Sequence, residues 1–166
     1  MPCKYPTRRC YQPVNAWQRF VAGSGLVECT PGYDAAMGSR AEDWFRQAER
    51  DVQHARRSLE AGTFEWAAFA AQQAAEKAVK AVFQALGGEA RGHSVTHLLA
   101  ALPPAARPGG ELVELAKELD KHYVGPRYPD SFPAGAPMDF YTEAEARRAI
   151  DASEQILEHC RRHVLR

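Results

Sequence analysis

The chain has 166 residues, 45% of them hydrophobic, and its 21 lysines and arginines match its 21 aspartates and glutamates. That length builds one core of ordinary size. The balanced charge excludes a global field of the kind that draws a protein to nucleic acid or to an anionic membrane, so any anion site must be local. No apolar run approaches the roughly 20 residues of a membrane span. Of the four cysteines, Cys3, Cys10 and Cys29 crowd the N-terminus without Cys-x-x-Cys spacing, and Cys160 stands far from them. The expectation is a cytoplasmic protein with free thiols, no disulfide framework and no structural zinc.

Residues 1–36 carry Pro2, Pro6, Pro13, Pro31, Gly23, Gly25 and Gly32 and hold no periodicity for long. They are expected to be a disordered extension or, with translation beginning at Met37, a misassigned start. A helical domain is expected over residues 37–166. Across residues 41–61, Trp44, Phe45, Ala48, Val52, Ala55 and Leu59 recur at three- and four-residue steps, which predicts an amphipathic helix. Gly62 closes it in the left-handed conformation, and the Thr63 hydroxyl is a fitting N-cap for the next helix.

That second helix, residues 64–86, is dominated by alanine, with Trp66, Phe69, Val79, Val82 and Phe83 between. Its apolar surface wraps most of the way round, the pattern of a central helix whose small side chains let neighbours approach. Gln72, Gln73, Glu76 and Lys77 interrupt it. They are either a solvated strip or, through Gln73 and Lys77 four residues apart, a face turned to a cleft or a dimer.

Gly87 and Gly88 end the second helix, a short helix begins near Ser94, and Pro103 and Pro104 stop it. Leu112, Leu115, Ala116 and Leu119 mark another apolar stripe over residues 111–123. Thr142 and Glu145 form a capping box that opens the last helix, with Ala146, Ala149, Ile150, Ser153, Ile156, Leu157, Cys160 and Val164 on one face. With no alternating strand pattern, the predicted fold is all-α: an up-and-down bundle of four main helices plus one short helix.

Residues 123–130 read Tyr-Val-Gly-Pro-Arg-Tyr-Pro-Asp. Pro126 and Pro129 fix their own φ and bias Gly125 and Tyr128 away from the α region, so the preceding helix must end before Pro126. Tyr123, Arg127, Tyr128 and Asp130 are then presented from a stiffened loop. A guanidinium flanked by aromatic rings grips phosphate or carboxylate through two parallel hydrogen bonds, while a tyrosine stacks on a base. The structural alternative pairs Arg127 with Asp130 and uses the tyrosines to close the bundle. His93 and His97, four apart, have a chelating spacing, but two ligands make no metal site, and His97 is expected to serve as a cap or a buried hydrogen-bonding residue. No Gly-rich phosphate loop or nucleophile signature occurs.

The run Ala-Ala-Phe-Ala-Ala-Gln-Gln-Ala-Ala-Glu-Lys-Ala at residues 67–78, together with Leu-Asp-Lys-His-Tyr-Val-Gly-Pro-Arg-Tyr-Pro-Asp at 119–130, resembles the HEPN family over residues 40–165. Within it, the chain is similar to the stand-alone bacterial or archaeal branch with the Arg-Tyr-Pro-Asp motif. The resemblance implies a helical bundle that homodimerises and pairs with a minimal nucleotidyltransferase in a two-gene, toxin–antitoxin-like system. Many members are metal-independent ribonucleases that use an arginine followed shortly by a histidine near the start of the last long helix. Here Arg147, Arg148 and Arg127 lack such a histidine, and the matching spacing from Arg91 to His97 follows the second helix instead.

The resemblance therefore implies a nucleotide- or RNA-binding module rather than an enzyme, without metal or cofactor. In it Arg127 holds a phosphate, Tyr123 or Tyr128 stacks on a base, Lys77 adds charge, and Gln73 and Asp130 complete the site. Two alternatives stand beside it. One is an endoribonuclease with His97 or His122 as general base and Arg91 or Arg127 stabilising the phosphate. The other is a purely structural dimerisation module.

Overall fold

In the computed structural model, which describes residues 40–165, the periodic segments form five helices: α1 (Ala41–Glu60), α2 (Phe64–Ala85), α3 (Val95–Ala101), α4 (Gly110–Asp120) and α5 (Glu143–Val164). No strand occurs among the described residues. The readings for residues 1–36, for Met37 as a start, and for Cys3, Cys10 and Cys29 lie outside the described residues.

The stripe predicted for α1 is the one that folds inward, with Phe45, Ala48, Val52 and Ala55 buried. Gly62, at φ +73°, makes the left-handed turn into α2. Thr63 does not cap that helix as expected. Its hydroxyl donates to the Ser58 carbonyl at 3.1 Å and no side-chain cap bond reaches α2, because the tight turn brings the last carbonyls of α1 within closer reach.

α2 packs against all the other helices. Ala67, Ala68, Ala71, Ala74, Ala75, Ala78 and Ala81 have no exposed surface, which fits small side chains admitting neighbours on every side. Around them Phe45, Leu99, Leu102, Leu119 and Ile156 fill the core. Two ion pairs between α1 and α5 give their relative direction: Glu49 meets Arg161 at 3.1 Å and Arg56 meets Glu154 at 2.6 Å. Advancing along one helix retreats along the other, so the pair is antiparallel. Both pairs are too exposed to add much stability.

α4 stops at Asp120, three residues short of the predicted end, and a series of turns leads to 3-10 turns at Gly125–Arg127, Pro129–Ser131 and Pro137–Asp139. Asp120 ties the short α3 to the end of α4. Its carboxylate accepts from the Ser94 hydroxyl at 2.7 Å, the Val95 amide at 2.6 Å and the Thr96 amide at 3.2 Å. Three donors at the start of α3, including two backbone amides with no partner in the helix itself, are thereby satisfied. At the start of α5 the predicted capping box is complete: Glu145 N donates to Thr142 Oγ1 at 3.3 Å and Thr142 N donates back to Glu145 at 2.9 Å.

Candidate functional site

Arg127 sits in the first 3-10 turn and folds back over the end of α4. Its Nε donates to the Tyr123 carbonyl at 2.8 Å. Its guanidinium lies 4.7 Å from the Tyr123 ring centre, 4.8 Å from that of Phe69 on α2 and 5.2 Å from that of Tyr128. Cation–π attraction to three rings and one hydrogen bond hold the group in place. Among the described residues no carboxylate or carbonyl takes up its two terminal nitrogens, which remain as a pre-oriented fork for an oxyanion. Asp130 is exposed and forms no pair with Arg127, so the internal Arg127–Asp130 bridge considered from sequence is not formed.

The polar interruption of α2 is not a solvated strip. Gln72 is fully buried and Glu76 is 4% exposed. Gln72 Nε2 donates to the His93 carbonyl at 2.8 Å, Gln73 Nε2 donates to Gln72 Oε1 at 2.7 Å, and Lys80 Nζ donates to Glu76 at 2.8 Å. Both Glu76 oxygens lie 3.2 Å from His93 Nδ1. Polar groups on a helix buried all round must find partners inside the protein, and here they find one another and the loop before α3. His93 in turn stacks on Tyr123, with ring centres 4.5 Å apart and planes at 14°. Glu76, His93, Tyr123 and Arg127 thus form one continuous array.

Lys77, expected to add charge at the site, pairs with Asp51 of α1, while Gln73 bonds to Gln72 and Glu76. His97 is neither buried nor a side-chain cap. It is exposed on α3, where its backbone amide donates to Ser94 Oγ at 3.2 Å. Arg91 is exposed in the loop before α3, and His93 lies outside that helix, so His93 and His97 do not share a helical face.

His122 Nδ1 lies 3.2 Å from the Tyr141 hydroxyl. Burial, the largest influence, lowers the His122 pKa from its ordinary 6.5, against the opposing pull of Glu145 and Glu118 and with some help from Lys121 and Arg148. Burial, assisted by Glu145, pushes Tyr141 up to about 12. Both shifts favour a neutral pair in which the phenol donates to the imidazole. A side chain at Gly125 would bring a Cβ within 3.0 Å of that phenol oxygen, which accounts for glycine there.

Since the folded protein holds the His122 proton less tightly than the unfolded chain, this group's contribution is fully present above pH 6.5 and is lost as pH falls below it toward the lowered folded value. Urea midpoints measured on either side of pH 6.5 should fall with acidification, and His122→Gln should flatten that slope. An unchanged slope in the variant would assign the acid sensitivity to other groups.

A separate groove of about 700 Å³ lies between α1 and the first half of α5, lined by Arg56, Glu60, Phe64, Arg147 and Asp151 among others. Its arginines are engaged by Glu154 and Glu143, so the groove offers an anion much less than Arg127 does. Sequence reasoning missed Phe69 and the Glu76–His93 tie. A signal for the second was present: Gln72, Glu76 and Lys80 recur at four-residue steps on a helix otherwise too apolar to face water.

The HEPN domain family model matches residues 41–163. The chain belongs to the HEPN family. Among solved structures, TT1696 from Thermus thermophilus is 46% identical and superposes with a TM-score of 0.74, covering 75% of this chain and 98% of that one. ST0689, an archaeal HEPN homologue, is 42% identical with a TM-score of 0.65 at the same coverage. A HEPN domain protein from Thermotoga maritima, tm0613, is 40% identical with a TM-score of 0.61, again over 75% and 98% of the two chains. A Methanocaldococcus jannaschii protein named "Putative toxin MJ1304" is 27% identical over 127 residues, 71% of this chain and 84% of the relative. The HEPN bundle of this chain has no helix among the described residues long and apolar enough to cross a membrane.

Proposed function

We propose that this HEPN chain is a nucleotide- or RNA-binding module in which Arg127 holds a phosphate and an exposed tyrosine, Tyr128, stacks on a base. The observation that carries this reading is the state of Arg127: fixed by three rings and a backbone carbonyl, with its terminal nitrogens unclaimed among the described residues. Lys77 has no part in it, being paired with Asp51.

The test is calorimetric titration with ATP, GTP and short RNA. Arg127→Ala should weaken binding by about ten- to a hundredfold, the range for loss of charge-assisted hydrogen bonds. Arg127→Lys should restore little, because an ammonium cannot reproduce the planar fork over the rings. Equal binding by the wild type and Arg127→Ala would remove Arg127 from the role.

The module is further proposed to act as a homodimer and as the partner subunit of a minimal nucleotidyltransferase in a two-gene, toxin–antitoxin-like system. Membership of the HEPN family and the name given to the Methanocaldococcus jannaschii relative support that setting. Co-expression with the product of the adjacent gene should yield a co-purifying complex, and a nucleotidyltransferase next door that never co-purifies would count against it.

One observation favours the ribonuclease alternative. His93, braced by buried Glu76, stacks on the same Tyr123 ring that carries Arg127, so a base for a 2′-hydroxyl and a cation for the phosphate lie on one array. If that reading holds, the purified chain cleaves RNA and His93→Ala abolishes the cleavage. Intact RNA at high protein concentration leaves the binding module.

A further inference from the structure

Glu65, in the first turn of α2, is 9% exposed, and among the described residues no donor reaches its carboxylate. The group is not sealed off, because the only side-chain oxygen or nitrogen both fully enclosed and unpartnered among the described residues is Thr96 Oγ1. A small ligand can therefore still touch the Glu65 oxygens. Glu76, the other buried glutamate, is met by Lys80, His93 and two glutamine amides. The helix dipole favours an acid in the first turn, but that attraction does not require burial, and no amide of the turn bonds to this one. Dehydrating a carboxylate that no donor meets costs stability and returns nothing to the fold, which points to a partner outside it.

Glu65, Phe69, Gln72 and Glu76 follow one another at four-, three- and four-residue steps, so they share one face of α2. On that face Phe69 lies 4.8 Å from the Arg127 guanidinium, and Gln72 and Glu76 hold the loop that carries His93. Glu65 stands one helical turn before the ring that supports Arg127, and the two charged groups are not paired with each other. The 3-10 turns at Gly125–Arg127 and Pro137–Asp139 both touch this helix. A cationic fork with unclaimed donors, and a carboxylate with unclaimed acceptors one turn away, suit a ligand with an anion at one end and paired donors at the other.

A carboxylate only accepts, and its two oxygens are best met by two donors side by side. Among the Watson–Crick edges of the four bases, guanine alone presents that arrangement, through its N1–H and its N2 amine. Adenine and cytosine set one amine beside a ring acceptor, and uracil sets one N–H between two carbonyls. Each of these would turn a lone pair toward Glu65. We infer that Glu65 is the base-selecting residue of the site and that the ligand is a guanine nucleotide, with its phosphate on Arg127 and its N1–H and N2 amine on Glu65. This rests on the nucleotide-binding reading of Arg127 and adds to it the choice of base.

The experiment is calorimetric titration of the full chain with GMP, IMP and AMP. GMP should bind at least about tenfold more tightly than AMP, and IMP, which keeps the N1–H but lacks the N2 amine, should fall between them. Glu65→Gln keeps the size of the side chain and should weaken GMP by about ten- to a hundredfold. AMP should bind that variant no worse, because an amide sets one acceptor beside one donor, the complement of adenine. Arg127→Ala should weaken GMP and AMP alike. Thermal melting gives the second readout: Glu65→Gln should melt no lower than the wild type, since no internal partner is lost.

If GMP and AMP bind equally well and Arg127→Ala weakens both, the inference falls and the nucleotide reading stands. If neither binds, both fall. A GMP preference that survives in Glu65→Gln overturns the assignment by placing base selection elsewhere. A Glu65→Gln protein that melts well below the wild type overturns it too, by making Glu65 a structural residue.

Discussion

Glu76→Ala is expected to lower folding stability by about 3–5 kcal/mol, the range for breaking a buried ion pair by removing one partner. The residue is 4% exposed and serves four groups: Lys80, His93 and the amides of Gln72 and Gln73. Truncation leaves the Lys80 ammonium, whose side chain is only 13% exposed, without its carboxylate. It also strips Gln72, fully buried, of one of its acceptors. Melting should drop by roughly 10 °C or more for a domain of this size. Two companion variants separate charge from shape. Glu76→Gln keeps the volume and an acceptor and should lose roughly half as much. The double variant Glu76→Leu with Lys80→Met removes both charges at once and should be less destabilised than Glu76→Ala alone, because no ion is left unpaired in the interior. A double variant as damaged as the single would show that the cost lies in packing and not in the uncompensated charge.

Asp120→Ala should cost about 2–4 kcal/mol, from three charge-assisted hydrogen bonds and a favourable charge at the start of α3. The helix has only seven residues and cannot support itself, so its order depends on that carboxylate and on Val95, Leu98 and Leu99 in the core. Hydrogen exchange should localise the loss, with α3 amides exchanging much faster while α5 amides follow only the global change. His93 immediately precedes Ser94, so the stack on Tyr123 should loosen as well, visible in the imidazole resonances. Asp120→Asn is a sharper probe than alanine. It keeps the shape, but one of the two oxygens becomes an NH2, which presents donors toward either the Val95 or the Thr96 amide, where an acceptor is required. Protected α3 amides in either variant would mean that core packing alone holds the helix.

The bundle was legible because helical periodicity is local, and each stripe needed only a neighbouring stripe to cover it. The five helices appear with boundaries within about three residues of those expected, and the largest difference has a local cause. The pattern of α4 continues past Asp120, but the chain must begin turning there to bring Arg127 back over Tyr123. The site was half legible. Arg127 and its tyrosines stand out in a proline-stiffened octapeptide, whereas Phe69, more than fifty residues earlier, meets the guanidinium only through the packing of α2 against the first 3-10 turn. Lys77 misled because charge on a helix says nothing about which neighbour will neutralise it, and Asp51 arrives from α1. The polar strip was misjudged for the opposite reason. An alanine-rich helix with no wet side gave fair warning that its glutamine and glutamate would be internal.

The double duty of α2 has a consequence for how such a protein diverges. The helix that forms the central rod of the bundle also provides one wall of the site, so Gln72 and Glu76 are held in place by the requirement to fold. A lineage that gave up the ligand would keep them regardless. Arg127 and Tyr128 are more exposed and carry less of that burden, and they would drift first. Retention of the first pair across descendants therefore records only a viable scaffold, whereas retention of the second pair would be the trace of selection for the proposed binding.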